Sequence, residues 1–141
     1  MQLSFCYVIK GTYFYSAQWM KELGHLQSGV MLELQKEPSN IHDHNAIQIW
    51  LASPRALLGY MPRPAAKKWR FLTQVQLQHT QSVLIVPFNT SDLILCKTEL
   101  NLSNLNYRTR IQLLWQWFWH QFNPTRLKTR YNKSFKNNKT K

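Results

Sequence analysis

The sequence predicts a small, mainly β fold with one or two short helices, arranged as a small β-barrel and followed by an irregular basic C-terminal extension. Short apolar and β-branched runs recur along the chain, and turn residues separate them about every ten positions. The regular alternation of strands with long helices that builds a parallel sheet is absent. The 141 residues suffice for one ordinary domain. We therefore expect a single barrel of antiparallel strands.

Four strands are predicted in the first half of the chain, over residues 3–9, 30–35, 46–50 and 56–61. In the second of them, Val30, Leu32 and Leu34 alternate with more polar residues, which is typical of a half-buried strand. Residues 18–26 lie between the first two strands and carry apolar side chains at near-helical spacing. This segment is expected to form either a short helix or an irregular lid.

The second half adds a helix and further strands. Residues 63–72 have Pro64 near their start and good helix formers after it, which predicts a helix with a basic side. Residues 75–89 are predicted as one or two strands, with inward side chains at Val83, Ile85 and Phe88, and residues 92–100 as another strand. The aromatic pattern of 108–122 fits both a strand and a helix, so it leaves the choice open.

The basic charge is concentrated at the C-terminus. Residues 1–100 carry nine Lys and Arg against six acids, whereas residues 101–141 carry nine Lys and Arg and no acid. We expect residues 1–100 to form the barrel, 101–122 an aromatic-rich extension, and 123–141 a basic tail that is disordered when free. Such a charge block indicates a polyanionic partner, either nucleic acid or an anionic membrane surface, with a merely solubilising tail as the alternative.

The cysteines and the hydropathy indicate a cytoplasmic protein. Cys6 and Cys96 are far apart and fit neither a zinc spacing nor a disulfide framework, so we expect both to be small buried hydrophobes. The N-terminus lacks the features of a secretion signal. The sequence contains no run of about 18 apolar residues, so it predicts no membrane-spanning helix. A reducing cytoplasm is the expected location.

A search for catalytic motifs predicts that the chain is not an enzyme. The sequence contains no phosphate-binding GxxxxGK[ST] loop, no GxSxG nucleophile elbow and no paired carboxylates for a two-metal site. His42, Asp43 and His44 form the one group that could ligate a metal, but a third or fourth ligand is not evident. We expect neither a metal nor a cofactor.

Two polar motifs carry the functional prediction. The first is E-P-x-N-x-x-D-x-N-A-I, formed by residues 37–47, and the second is G-Y-M-P-R at residues 59–63. An aromatic triplet at residues 13–15 precedes both. Asn and Asp side chains in such a segment bond to nearby backbone amides, so part of the first motif, Asn45 above all, is interpreted as turn-forming.

In this order, the triplet and the two motifs resemble the HIRAN domain, over about residues 3–100. This module is found alone in bacteria and at the front of eukaryotic DNA-remodelling helicases. The resemblance implies an OB/SH3-like barrel that binds nucleic acid without catalysis. In helicase-linked members it captures the 3′ end of single-stranded DNA, which implies a DNA repair or processing context.

Carried over residue by residue, the resemblance implies a binding site for a DNA end. Tyr13 and Tyr15 would stack bases, Asn40 would contact the terminal nucleotide, and Asp43 would accept the hydrogen bond of the 3′-hydroxyl. His42 stands where eukaryotic members commonly carry a tyrosine; its imidazole can still stack a base, but less well. The expected phosphate contacts are Lys67, Lys68 and Arg70, and Arg63 is also expected to bind the nucleic acid.

Two alternatives to this function rest on other features of the chain. The protein could act as an adaptor for a separate helicase or nuclease, with the barrel as its docking surface. It could also bind an anionic membrane surface through its Trp-rich basic C-terminus.

Overall fold

The computed structural model describes residues 1–12, 17–86 and 94–122. Within them, six strands form one antiparallel sheet in the order β1-β6-β5-β2-β3-β4. The strands are β1 Gln2–Val8, β2 Met31–Lys36, β3 Ile47–Leu51, β4 Ala56–Tyr60, β5 Gln81–Ile85 and β6 Leu95–Asn101. The helices are α1 Ala17–Glu22, α2 Arg63–Lys68, α3 Gln74–Gln78, α4 Tyr107–Phe122 and a short 3-10 helix, Leu102–Asn104. The mainly β fold class is thereby confirmed.

Alternation along the strands builds the core. In β2, Leu32 and Leu34 are buried while their neighbours are exposed, and in β3 the buried positions are Ile47, Ile49 and Leu51. These faces pack against the apolar residues of β1, β4 and α2, including the fully buried Trp69 just after α2. Removal of this apolar area from water is the main force that holds the sheet in its curved form.

One backbone bridge joins the two edges of the sheet and gives it a barrel-like form. Just beyond β1, Lys10 exchanges two hydrogen bonds of 2.8 Å with Tyr60 at the end of β4. Gly59 makes this approach possible, because a Cβ atom there would lie 2.2 Å from the carbonyl oxygen of Lys10. The bridge fixes residue 10 beside the end of β4.

The region after α2 differs from the prediction. Residues 74–78 form helix α3 instead of a strand, and Thr73 begins it with a capping box to Gln76. In β5, Ser82 and Leu84 are buried, while Val83 and Ile85 are only half-buried, so the predicted inward face was wrong. The predicted inward Phe88 lies outside the described residues.

Residues 107–122, for which the sequence left helix and strand open, form the 16-residue helix α4. Up to residue 122 the extension is therefore helical. Its Leu113 is fully buried against the barrel, and Gln116 donates a hydrogen bond of 2.9 Å to the carbonyl oxygen of Lys68. In the described parts of the chain, no helix has both the length and the apolar character needed to cross a membrane. The predicted basic tail, 123–141, lies outside the described residues.

Candidate nucleic-acid interface

The first polar motif forms the loop between β2 and β3, residues 37–46, which we call the β2–β3 loop. Backbone hydrogen bonds close it at its base, where the Glu37 amide donates to Ala46 at 2.9 Å. A second bond runs from the Ala46 amide to the Asp43 carbonyl at 3.0 Å. The loop is therefore a compact turn continuous with the two strands, and the sheet determines its position.

Asn40 is the central structural residue of the β2–β3 loop. Its Oδ1 accepts hydrogen bonds from the backbone amides of His42 at 2.9 Å and Asp43 at 3.1 Å. Its Nδ2 donates to Glu37 Oε2 at 2.7 Å. The side-chain oxygen thus replaces a missing backbone partner for two amides, as Asn commonly does in turns. Whatever Asn40 contributes to a ligand, it first sets the shape of the loop.

The side chains of Asp43 and Asn45 have different roles in the turn from those interpreted from the sequence. One carboxylate oxygen of Asp43, Oδ1, accepts a hydrogen bond from the Asn45 amide at 2.9 Å. Within the described residues, the other oxygen of Asp43 and the side-chain amide of Asn45 have no hydrogen-bond partner. Asn45, interpreted as turn-forming, therefore uses only its backbone in the turn, and its half-exposed side chain is free to contact a ligand.

The tip of the loop projects into solvent. Ile41 is 85% exposed, and His42 beside it is also exposed. Sequence reasoning missed Ile41, although an isoleucine within a polar turn was a usable signal. His44 points back, with Nδ1 at 3.2 Å from the Pro38 carbonyl oxygen. Among the described residues, no three His, Cys, Asp or Glu side chains are grouped closely enough to hold a metal ion.

The second motif holds the loop in place. The Tyr60 hydroxyl donates a hydrogen bond of 2.9 Å to Glu37 Oε2, the oxygen that also accepts from Asn40. Met61 is buried and its amide donates to the Ile47 carbonyl at 2.9 Å, while Pro62 directly precedes α2. The motif is thus mainly a structural element, and Arg63 is its exposed residue.

The predicted basic residues are all exposed, but they occupy different parts of the surface. Arg63 begins α2, three residues after Tyr60. Lys36, which directly precedes the loop, donates from Nζ to the Arg70 carbonyl at 2.9 Å, so Arg70 lies near the base of the loop. Lys68, by contrast, contacts α4 through its backbone, and Lys67 shares that last turn of α2.

Tyr13 and Tyr15 lie outside the described residues, so their proposed stacking role stays a prediction. Before them in the chain, Lys10 is bonded to Tyr60 through the backbone bridge.

The described fold and loop define a small β-sheet module whose exposed polar loop suits ligand binding. The family model of the HIRAN domain matches residues 2–106, and the chain therefore belongs to the HIRAN domain family. HIRAN domains are DNA-binding modules rather than catalytic domains.

Two solved structures share the fold. The HIRAN domain of human HLTF has a TM-score of 0.54 at 18% identity, with 70% of this chain and 77% of that chain covered. A Lactobacillus plantarum protein from a structural genomics programme has a TM-score of 0.55 at 21% identity, with 72% of this chain and 98% of that chain covered. No curated protein matches the sequence.

Proposed function

We propose that this protein binds single-stranded DNA at its 3′-hydroxyl end, through the β2–β3 loop and the basic residues around it. The observation that carries the proposal is Asp43. One of its carboxylate oxygens is fixed by the Asn45 amide, and within the described residues the other has no partner. A fixed carboxylate accepts a hydrogen bond from a hydroxyl and repels a phosphate, so it selects a free 3′-OH end.

The surroundings of Asp43 supply the other contacts that such a ligand needs. Ile41 and His42 offer exposed apolar and aromatic surface to a base or sugar, and the Asn45 amide can bond to a base edge. Tyr13 and Tyr15 are proposed as stacking residues, where each stacked base adds about 1–3 kcal/mol. Asn40 contributes by holding Asp43 in place.

Charge supports the same class of ligand. The chain carries a formal net charge of +12, and the Arg70 backbone accepts a hydrogen bond from Lys36, directly before the loop. Arg63, Lys67 and Lys68 on α2 supply further exposed positive charge. A non-catalytic module of this kind fits a role in DNA repair or processing, beside a separate helicase or nuclease that acts on the same end.

Fluorescence anisotropy with labelled oligonucleotides tests the proposal. A single strand ending in 3′-OH should bind about tenfold or more tightly than the same strand with a 3′-phosphate or a blunt duplex, the scale of one charge-assisted hydrogen bond. Asp43→Asn keeps an acceptor for the Asn45 amide but removes the charge. It should narrow the difference in affinity between strands that end in 3′-OH and strands that end in 3′-phosphate.

Glu99→Gln is the matched control, because it makes the same charge change on β6, outside the loop. It should leave the 3′-OH preference unchanged. Equal affinity of the natural sequence for both ends would overturn end recognition, and no binding to any strand would overturn the proposed function itself. Arg63→Ala and Arg70→Ala should each weaken the binding of all single strands to the same extent and reduce the salt dependence of binding.

A further inference from the structure

Helix α4 has apolar residues on two opposite sides. Its inner side faces the barrel with the buried Leu113 and Thr109 and the partly buried Trp117. Its outer side carries large apolar side chains that are 47–77% exposed: Tyr107, Ile111, Trp115, Phe118, Trp119 and Phe122. We call these six residues the outer face of α4. A helix that only covered the barrel would be polar on this side.

The outer face is one continuous surface. Ile111, Trp115, Phe118 and Phe122 follow each other at steps of four, three and four residues, which places them in a single stripe along the helix. Trp115 stacks on Phe118 with ring centroids 6.5 Å apart, and Phe118 contacts Phe122 at 4.5 Å. Trp119 widens the stripe through an edge contact of 5.9 Å with Trp115. Apolar patches of this kind mark interaction sites.

The charge around the outer face indicates an anionic partner. Residues 101–141 contain nine Lys and Arg and no acid. Arg108 is exposed and lies seven residues, about two helical turns, before Trp115, so it is on the same side of the helix. A second copy of the chain would bring two such segments together, and their like charges would oppose pairing.

An anionic lipid surface fits the chemistry of the outer face better than a nucleic acid does. The rings of Trp115, Phe118 and Phe122 already pack on one another, so their faces are partly covered against stacking bases. Ile111 cannot stack a base, but it buries readily among acyl chains. Tryptophan and tyrosine favour the membrane–water interface, and neighbouring Lys and Arg bind anionic headgroups.

We propose that α4 is an interfacial membrane-binding helix, which lies along an anionic bilayer with its outer face among the lipids. Single phosphatidylglycerol-type headgroups would meet Arg108, which is exposed on the same side of the helix. The helix begins at Tyr107, just beyond residue 106, where the match to the HIRAN family ends. The proposal is therefore independent of the one for the β2–β3 loop.

Co-sedimentation of the full chain with vesicles tests this surface. The vesicles contain either phosphatidylcholine alone or equal parts of phosphatidylcholine and phosphatidylglycerol. The chain should bind the anionic vesicles and not the neutral ones, with a blue shift of its tryptophan emission. A Trp115→Gln/Phe118→Gln variant should bind about tenfold more weakly or worse, because two central rings of the face are removed.

The matched control is Leu23→Gln/Val75→Gln, which replaces two exposed apolar residues elsewhere and should bind vesicles normally. Circular dichroism and urea unfolding confirm that each variant is folded. Unchanged vesicle binding by the α4 variant would overturn the proposal. The proposal would also be overturned if the natural chain did not bind anionic vesicles and the α4 variant lost oligonucleotide affinity. A dimer of the natural chain in analytical ultracentrifugation that the α4 variant does not form would overturn it as well.

Discussion

The hydroxyl of Tyr60 donates a hydrogen bond of 2.9 Å to Glu37, and this contact joins the two motifs of the chain. Glu37 begins the β2–β3 loop, and Tyr60 ends β4 beside the bridge to Lys10. The same carboxylate oxygen, Oε2, accepts from Asn40, whose own side-chain oxygen accepts from the backbone amides of His42 and Asp43. The residue that forms the bridge to Lys10 and the shape of the loop are thus linked through one carboxylate.

Tyr60→Phe should lower the free energy of unfolding by about 1 kcal/mol, because it removes a half-buried hydrogen bond to a charged group. It should also weaken binding of a 3′-OH oligonucleotide, since the loop loses an anchor. Urea unfolding and anisotropy measure the two effects. Tyr107→Phe is the control, because this hydroxyl is exposed and bonds to nothing among the described residues. Equal stability of the two variants would contradict the anchoring role.

The close approach at Gly59 gives a second prediction. Gly59→Ala should cost on the order of 3 kcal/mol or more in stability, because the added methyl group would collide with the backbone of Lys10 and force the bridge apart. Gly24→Ala is the control, because it introduces backbone strain without a steric clash. Gly24 has a φ of +77° and open space around it, so its substitution should cost only about 1 kcal/mol. Similar unfolding midpoints for both variants would rule out the steric explanation.

The sequence allowed correct prediction of those strands whose side chains alternate. The strands at 30–35 and 46–50 alternate apolar and polar residues, and the structure has β2 and β3 there, with Leu32 and Leu34 buried as the alternation in the first of them predicts. The prediction failed at α3, where apolar residues in 75–89 suggested a strand. Thr73 and Gln76 form a capping box, which is a local signal for a helix start and would have corrected the assignment.

The candidate site was harder to predict from the sequence, because the role of each side chain depends on the hydrogen bonds that it makes in the folded protein. Asn40 and Asn45 have the same chemistry, and the sequence cannot show which of them bonds to the loop backbone. The contact between Glu37 and Tyr60 joins residues 23 positions apart, so it depends on the pairing of β2, β3 and β4. Local patterns contain no information about such a contact.

The two asparagines of the loop should therefore respond differently to substitution. Asn40→Ala leaves two backbone amides without their acceptor, and should lower stability by about 1–3 kcal/mol and weaken DNA binding with it. Asn45→Ala removes a side chain without a described partner, and should leave stability within about 0.5 kcal/mol while still weakening DNA binding. Urea unfolding and anisotropy distinguish the two. A stability loss at Asn45 that equals the loss at Asn40 would contradict this division of roles.

His120 on α4 gives the protein a predictable response to acid. Its ring lies against β1, 5.7 Å from the ring of Phe5 and 5.3 Å from that of Tyr7, and its Nε2 lies 3.5 Å from the Cys6 amide that donates to it. Burial lowers the pKa of His120, and the nearby charge of Lys68 lowers it further. The folded state therefore binds a proton at this site less readily than the unfolded state does.

The free energy of unfolding should accordingly decrease as the pH falls below about 7, through the ordinary histidine pKa of about 6.5, until the pH reaches the lowered pKa of His120. Above this range His120 binds no proton in either the folded or the unfolded state, so it does not change the pH dependence of stability. His120→Gln removes the titration while keeping a polar side chain against β1. Urea unfolding of both proteins between neutral pH and about pH 5 isolates this contribution as a difference, because other titrating groups cancel. The natural sequence should lose more stability across this range than His120→Gln, and parallel pH profiles would show that burial of His120 does not perturb its protonation.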